Sequence, residues 1–190
     1  MCGICGIVGR ADSEANDAVR RMTETLRHRG PDDDGIVRLP LGGDGQACGA
    51  IFGFRRLAIL DLSPSGHQPM VDPVTGDCLV FNGEIYNYLE LRESLVAVGI
   101  SVTSTGDAEV LLKGLSRWGE AFVEKLDGMY AFAFYKRATR RVLLARDPLG
   151  IKPLYIAEHE GRIVFGSEIR SLLASGVVPD EYDPAGVASY

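Results

Sequence analysis

Cys2 stands directly behind Met1 in MCGICGIVGR, where a thiol could serve as a nucleophile. A thiol attacks as its thiolate, and a free cysteine with a pKa of about 8.5 is only slightly ionised at neutral pH. Removal of Met1, which the small side chain of Cys2 permits, would give Cys2 an α-amine of its own. Such an amine has a pKa of roughly 7.7–8.0, so about a tenth is free base at pH 7. Nucleophile and base would then share one residue, as in nucleophiles activated by a terminal amine. The plain alternative is a small buried hydrophobe near the chain start.

Three further stretches carry groups that would suit such a thiol. FNGEIYNY holds Asn82-Gly83, ordinarily a hairpin signal, but Glu84 to Leu95 has helical spacing and charge in place of a second strand. The pair is therefore expected to close a strand. A carboxamide beside a flexible backbone N–H forms a two-donor cradle for a developing oxyanion; a bare strand-to-helix turn is the alternative. In TSTGDAEVLL, Ser104-x-x-Asp107 fits a capping box, and an acid there suits the helix dipole. Asp107 and Glu84 could equally receive an ammonium group. In FRRLAILDL, Arg55-Arg56 enters an apolar run, and Arg56 fixed at a strand edge could take a carboxylate bidentately, although a surface arginine pair is as ordinary. Taken together, these groups make an amino-acid site: Arg56 for a carboxylate, Asp107 and Glu84 for an ammonium, Asn82 and Gly83 for an oxyanion beside Cys2.

Metal chemistry is not expected. Cys2-Gly3-Ile4-Cys5 has C-x-x-C spacing, but Cys48 and Cys78 lie 30 positions apart and His28, His67 and His159 are scattered, so no second ligand pair is in sight.

The elements that must position these groups follow from the pattern of the rest. At 190 residues, 46% hydrophobic and 24% charged, the chain reads as one globular domain. No apolar run approaches the roughly 20 residues of a spanning helix. A net charge of −6 argues against a binder of nucleic-acid phosphates. The first residues lack a secretory pattern, since Gly3, Gly6 and Gly9 break the apolar run before Arg10, so a reducing cytoplasm and free thiols are expected. Strands are predicted over 3–9, 48–54, 57–62 and 79–81. A helix capped by Ser13 would bury Val19, Met22 and Leu26, and RHRGPDDDG and SPSGHQPM read as loops. Leu91, Leu95 and Val98 define a second helix stopped by Gly99; Leu111, Leu115 and Trp118 define a third. MYAFAFYK alternates Tyr130, Phe132 and Phe134 with small residues, the clearest strand of the chain. Two hairpins, a short helix over 167–174 and an extended exit complete the reading. Antiparallel runs separated by a few helices make the class α+β.

The segments MCGI, RHRGPDD, RRLAILDLS, FNGEIYNY, TGDAEVLL, LDGMYAFAFY and RDPLGIKPLY occur in this order. Together they resemble the N-terminal glutaminase domain of glutamine-hydrolysing asparagine synthetases, class II glutamine amidotransferases within the N-terminal-nucleophile hydrolases. The likeness runs from Cys2 to about Leu173. Relatives acting on sugar phosphates or phosphoribosyl pyrophosphate share the leading cysteine, but HRGPD and NGEIYN favour the asparagine synthetase branch. The resemblance implies a four-layer αββα sandwich of two antiparallel sheets. It also implies that residues 1–190 are one glutaminase domain, with the C-terminal synthetase domain absent from this chain.

Carried over by the resemblance, Cys2 is the nucleophile, its freed amine the base, and Asn82 with Gly83 the oxyanion hole. Arg56 would bind glutamine through its side chain and Leu57, Ala58, Ile59 and Leu60 largely through backbone, with Glu84 and Asp107 as the remaining contacts. Arg29 falls in a loop that helps orient the terminus. Phe54 and Cys5 depart from the residues usual nearby. The implied reaction hydrolyses the side-chain amide of L-glutamine through a γ-glutamyl thioester, passing ammonia to the synthetase domain. ATP and Mg²⁺ belong to that absent domain, and no cofactor is expected in this one. The implied partners are L-glutamine and the synthetase domain, with no nucleic acid or membrane; a homodimer stays open. Two rivals remain at this point: an ammonia-supplying domain for another acceptor, and a catalytically silent scaffold of the same fold.

Overall fold

The computed structural model describes residues 1–42, 48–58 and 66–181. Its architecture follows from side chains that alternate across strands with period two. A five-stranded sheet runs in the order β2 (Asp33–Pro40), β3 (Cys48–Arg56), β1 (Gly3–Arg10), β9 (Arg162–Gly166), β8 (Tyr155–His159). A four-stranded sheet runs β4 (Met70–Val71), β5 (Cys78–Ile85), β6 (Gly128–Lys136), β7 (Arg141–Arg146). Every pairing in both is antiparallel.

Each sheet buries both faces. Between the sheets, Ile4, Phe52, Phe54 and Phe165 pack on Cys78, Val80, Ala131, Ala133 and Tyr135. On the outer face of the first sheet, Cys5, Ile7, Ile51 and Val164 meet Ala18, Val19 and Met22 of α1 (Ser13–Thr25) and Leu172 of α4 (Ile169–Ala174). On the outer face of the second, Leu79, Phe81, Phe132 and Phe134 meet Leu91 and Leu95 of α2 (Tyr88–Ala97) and Val110, Leu111 and Leu115 of α3 (Asp107–Trp118). Phe122, from a 3₁₀ turn over Gly119–Lys125, joins them. The order is αββα. The aromatic stripe of MYAFAFYK faces the helices, and its alanines let the two sheets approach.

Several local expectations are corrected. The acidic, Gly-bearing loop contains the start of β2, which pairs with β3 from Asp33↔Arg56 onward. Asp12, not Ser13, caps α1, accepting from the Ala15 N–H at 2.9 Å. β3 ends at Arg56, so Arg55 and Arg56 close an apolar strand and do not enter one; Leu57 and Ala58 leave the sheet, and 59–62 lie outside the described residues. β5 does not close at Asn82-Gly83 but runs on to Ile85, with Asn82↔Ala131 and Gly83↔Tyr130 paired. No capping box forms: Gly106 is the N-cap of α3, and the Asp107 carboxylate accepts from the Ile85 N–H at 2.9 Å. Most of the predicted extended exit lies outside the described residues. Among the described residues no helix is long and apolar enough to cross a membrane, and no cluster of three or more His, Cys, Asp or Glu could hold a metal ion.

Candidate active site

The inner faces of three strands change character at the same end of the sandwich. Two residues before Ile4 on β1 stands Cys2; two after Phe54 on β3 stands Arg56; beyond Val80 on β5 stand Asn82 and Glu84. By strand period these side chains share the face that packs the intersheet core, so polar groups replace apolar ones where the sheets open. They border a cleft of about 150 Å³ lined by Cys2, Arg56, Leu57, Ala58, Asn82, Gly83, Glu84 and Asp107. Ile59 and Leu60 lie outside the described residues.

Cys2 is half-buried, its sulfur accepting from the Leu57 N–H at 3.4 Å and lying 3.6 Å from the Leu57 carbonyl. Burial pushes the thiol pKa up; the Leu57 contact, the terminal amine and the Arg56 and Arg29 guanidiniums pull it back only in part. The Cys2 carbonyl accepts from Arg29 Nε at 3.0 Å.

Asn82 is 1% exposed, and its Nδ2 has no hydrogen-bond partner among the described residues. A buried donor left unpaired costs about 1–3 kcal/mol, so its retention calls for an explanation such as a ligand. The backbone beside it adds a second donor. Along the edge of β5 past the end of β4, the Phe81 N–H goes to Gln68 Oε1 at 2.7 Å and the Ile85 N–H to Asp107 Oδ2 at 2.9 Å. The Gly83 N–H lies between them on the same edge. A Cβ at Gly83 would overlap the Met129 carbonyl and come within 2.7 Å of the Phe81 ring, so only glycine fits.

Three charged groups, Arg56, Glu84 and Asp107, line the same cleft. Arg56 is 8% exposed and its guanidinium lies against Gly66, where a Cβ would come within 2.8 Å of Cζ. Asp107 is buried; desolvation pushes its carboxyl pKa up and the Glu84 carboxylate adds to this, against the lowering effect of the Ile85 N–H. A cation offered to this carboxylate pair would relieve both.

Sequence reasoning missed several residues that the fold brings here. Gln68 and Lys152 both line the cleft and are buried. Lys152 Nζ is 3.4 Å from Met1 Sδ, and its backbone N–H is held by Asp147 Oδ2 at 3.0 Å. Asp32 accepts from the Ala58 N–H at 2.9 Å while its own N–H goes to the Arg56 carbonyl at 3.0 Å, bracing the stretch beside Cys2. Asp32 was visible only as part of a loop, and Gln68 and Lys152 carry no diagnostic spacing; their part depends on tertiary placement.

A four-layer αββα fold with a thiol at the start of an inner strand defines an N-terminal-nucleophile type of architecture. Among solved structures it is similar to glutamine phosphoribosylpyrophosphate amidotransferase from Bacillus subtilis, complexed with ADP and GMP, with a TM-score of 0.76 at 24% identity over 93% of this chain and 44% of that one. A second structure, the allosteric regulatory enzyme of purine biosynthesis, gives a TM-score of 0.74 over the same shares. The chain belongs to the glutamine amidotransferase domain family, which it matches over residues 1–190. It is 43% identical over 185 residues to a putative asparagine synthetase [glutamine-hydrolyzing] of Mycobacterium bovis, covering 91% of this chain and 28% of that protein. It is 38% identical over 181 residues to asparagine synthetase [glutamine-hydrolyzing] 1 of Bacillus subtilis, covering 92% and 27%. The chain therefore spans under a third of the length of these relatives.

Proposed function

We propose that this domain hydrolyses the side-chain amide of L-glutamine with Cys2 as nucleophile, once Met1 has been removed. The observation that carries the reading is the meeting, in one small cleft, of the Cys2 sulfur with a buried Asn82 amide nitrogen that has no partner among the described residues. At about 150 Å³ the cleft is smaller than the roughly 300–1,000 Å³ pockets of drug-sized ligands, which suits a single amino acid.

Arg56 pairs with the α-carboxylate of glutamine, and Asp107 with Glu84 receives its α-ammonium. The freed Cys2 amine takes the thiol proton, and the thiolate attacks the side-chain carbonyl carbon. Asn82 Nδ2–H and Gly83 N–H hold the oxyanion that forms. As the tetrahedral species collapses, the C–N bond breaks and the ammonium returns its proton to the departing nitrogen, which leaves as ammonia. The amine next deprotonates a water molecule, which attacks the thioester; glutamate leaves and the thiol is restored. Leu57, Ala58, Ile59 and Leu60 contribute backbone contacts to the substrate. Side chains, backbone amides and one terminal amine suffice for these steps, which call on no cofactor.

The released ammonia supplies an ATP-dependent synthetase domain that makes asparagine; the identities of 38–43% to proteins named for that activity support this acceptor over others. Protein whose intact mass shows a chain beginning at Cys2 is expected to release ammonia and glutamate from glutamine, and Cys2→Ala to abolish the release. Activity retained in Cys2→Ala would remove Cys2 from the role.

A further inference from the structure

We propose that Ser167 and Glu168 form a clamp that positions the N-terminal nucleophile, an inference that rests on the reading of Cys2 above. Chain termini fray unless tied down, and a nucleophile on the first residue of a processed chain has no preceding peptide to steady it.

The sheet alone leaves the relevant edge of β1 unheld. β3 accompanies β1 back to Gly3, but the pairing with β9 stops at Cys5↔Gly166. Among the described residues, no strand accompanies residues 2–4 on the β9 side. Ser167, wholly buried, takes over where the ladder stops: its N–H donates to the Ile4 carbonyl at 2.9 Å and its Oγ accepts from the Ile4 N–H at 3.0 Å. One step further, the Cys2 carbonyl faces the same edge by strand period and accepts from Arg29 Nε at 3.0 Å. Arg29 is in turn fixed by Glu168, whose Oε1 lies 3.0 Å from its NH1. His28 and Arg170 engage the same carboxylate at 2.9 and 2.5 Å, so Glu168 cannot swing away from Arg29 without losing three partners. The two adjacent residues thus hold the Ile4 N–H and carbonyl directly and the Cys2 carbonyl through Arg29.

Among the described residues, the side-chain hydrogen bonds of Ser167, Glu168 and Arg29 go to one another, the chain start, His28 and Arg170, while Arg56 and Asp107 are the groups assigned to the charged ends of glutamine. Loosening it is expected to misplace the sulfur and its amine while leaving substrate affinity largely intact. The test uses Glu168→Gln, which keeps shape and loses charge, in protein beginning at Cys2. Because misplacement of about 1 Å costs on the order of 100-fold, kcat is expected to fall about 10- to 100-fold with KM within about threefold. Amide hydrogen exchange at Gly3 and Ile4 is expected to accelerate while that of β3 and β6 does not. Arg29→Lys, which keeps the charge without the fork, should reproduce both effects, and serves if Glu168→Gln fails to fold. Unchanged exchange at residues 3 and 4, or exchange that rises uniformly across the fold, would overturn the clamp whether or not the protein turns over glutamine. Inactivity of the parent protein would instead count against the function proposed above.

Discussion

Burial makes the Cys2 thiol reluctant to ionise, and the nearby Arg56 and Arg29 offset this only partly. As the proposed nucleophile the thiol must give up its proton, and the freed amine of the same residue can take it. Asn82 shows the complementary feature: a buried donor with no partner among the described residues, which the proposed oxyanion would fill. Asn82→Ala is expected to lower kcat about 10²–10³-fold, as loss of one oxyanion donor does, with a far smaller change in KM; steady-state kinetics on glutamine checks this. Asp107 carries a pH prediction. Its folded pKa is raised, first by desolvation. Its share of stability is thus present below its unfolded pKa of about 3.9 and lost as pH rises through the folded value. Asp107→Asn keeps an acceptor for the Ile85 N–H and removes the buried charge. Urea unfolding should find this variant more stable than the parent at pH 7, with the advantage gone near pH 3, while KM for glutamine rises. Equal stability at pH 7 would contradict it. Cys2, Asn82, Arg56 and Asp107 could be picked out because their side chains have distinctive chemistry. The capping box that the spacing of Ser104 and Asp107 predicts does not form, since the Asp107 carboxylate reaches across to β5.

At the scale of elements, β5 and the end of β3 carry most of the site. β5 continues straight through Asn82-Gly83, a pair whose local preference is a turn, because pairing with β6 through Ile85 outweighs that preference. The glycine serves close approach. Gly83→Ala is expected to cost about 1–3 kcal/mol by overpacking against Met129 and Phe81, readable as a lower denaturant midpoint, and to reduce turnover by shifting the N–H beside Asn82. A midpoint equal to that of the parent would show that β5 can yield there. β2 was invisible for the same reason that β5 was misread: Asp, Gly and Pro advertise a loop, yet the edge of β3 supplies partners for eight residues. MYAFAFYK was legible throughout, since its alternation matches what each face meets.

At the scale of the molecule, the site exists because two sheets face each other and their inner stripes turn polar at one end. Residues 2, 56 and 82 meet there, the first just ahead of β1 and the others on β3 and β5. Composition and periodicity reached α+β and no further. Layer order depends on pairings such as that of Ile4 with Ser167, 163 positions apart, which no local period encodes; the family resemblance supplied the sandwich that the strands alone left open. The most direct measurement is intact mass and peptide mapping of protein beginning at Cys2 after exposure to a diazoketone analogue of glutamine. A single adduct on Cys2, blocked by excess glutamine, is the predicted result. A protein verified to begin at Cys2 that stays unlabelled, or labels only at the exposed Cys48, would contradict the assignment of the nucleophile.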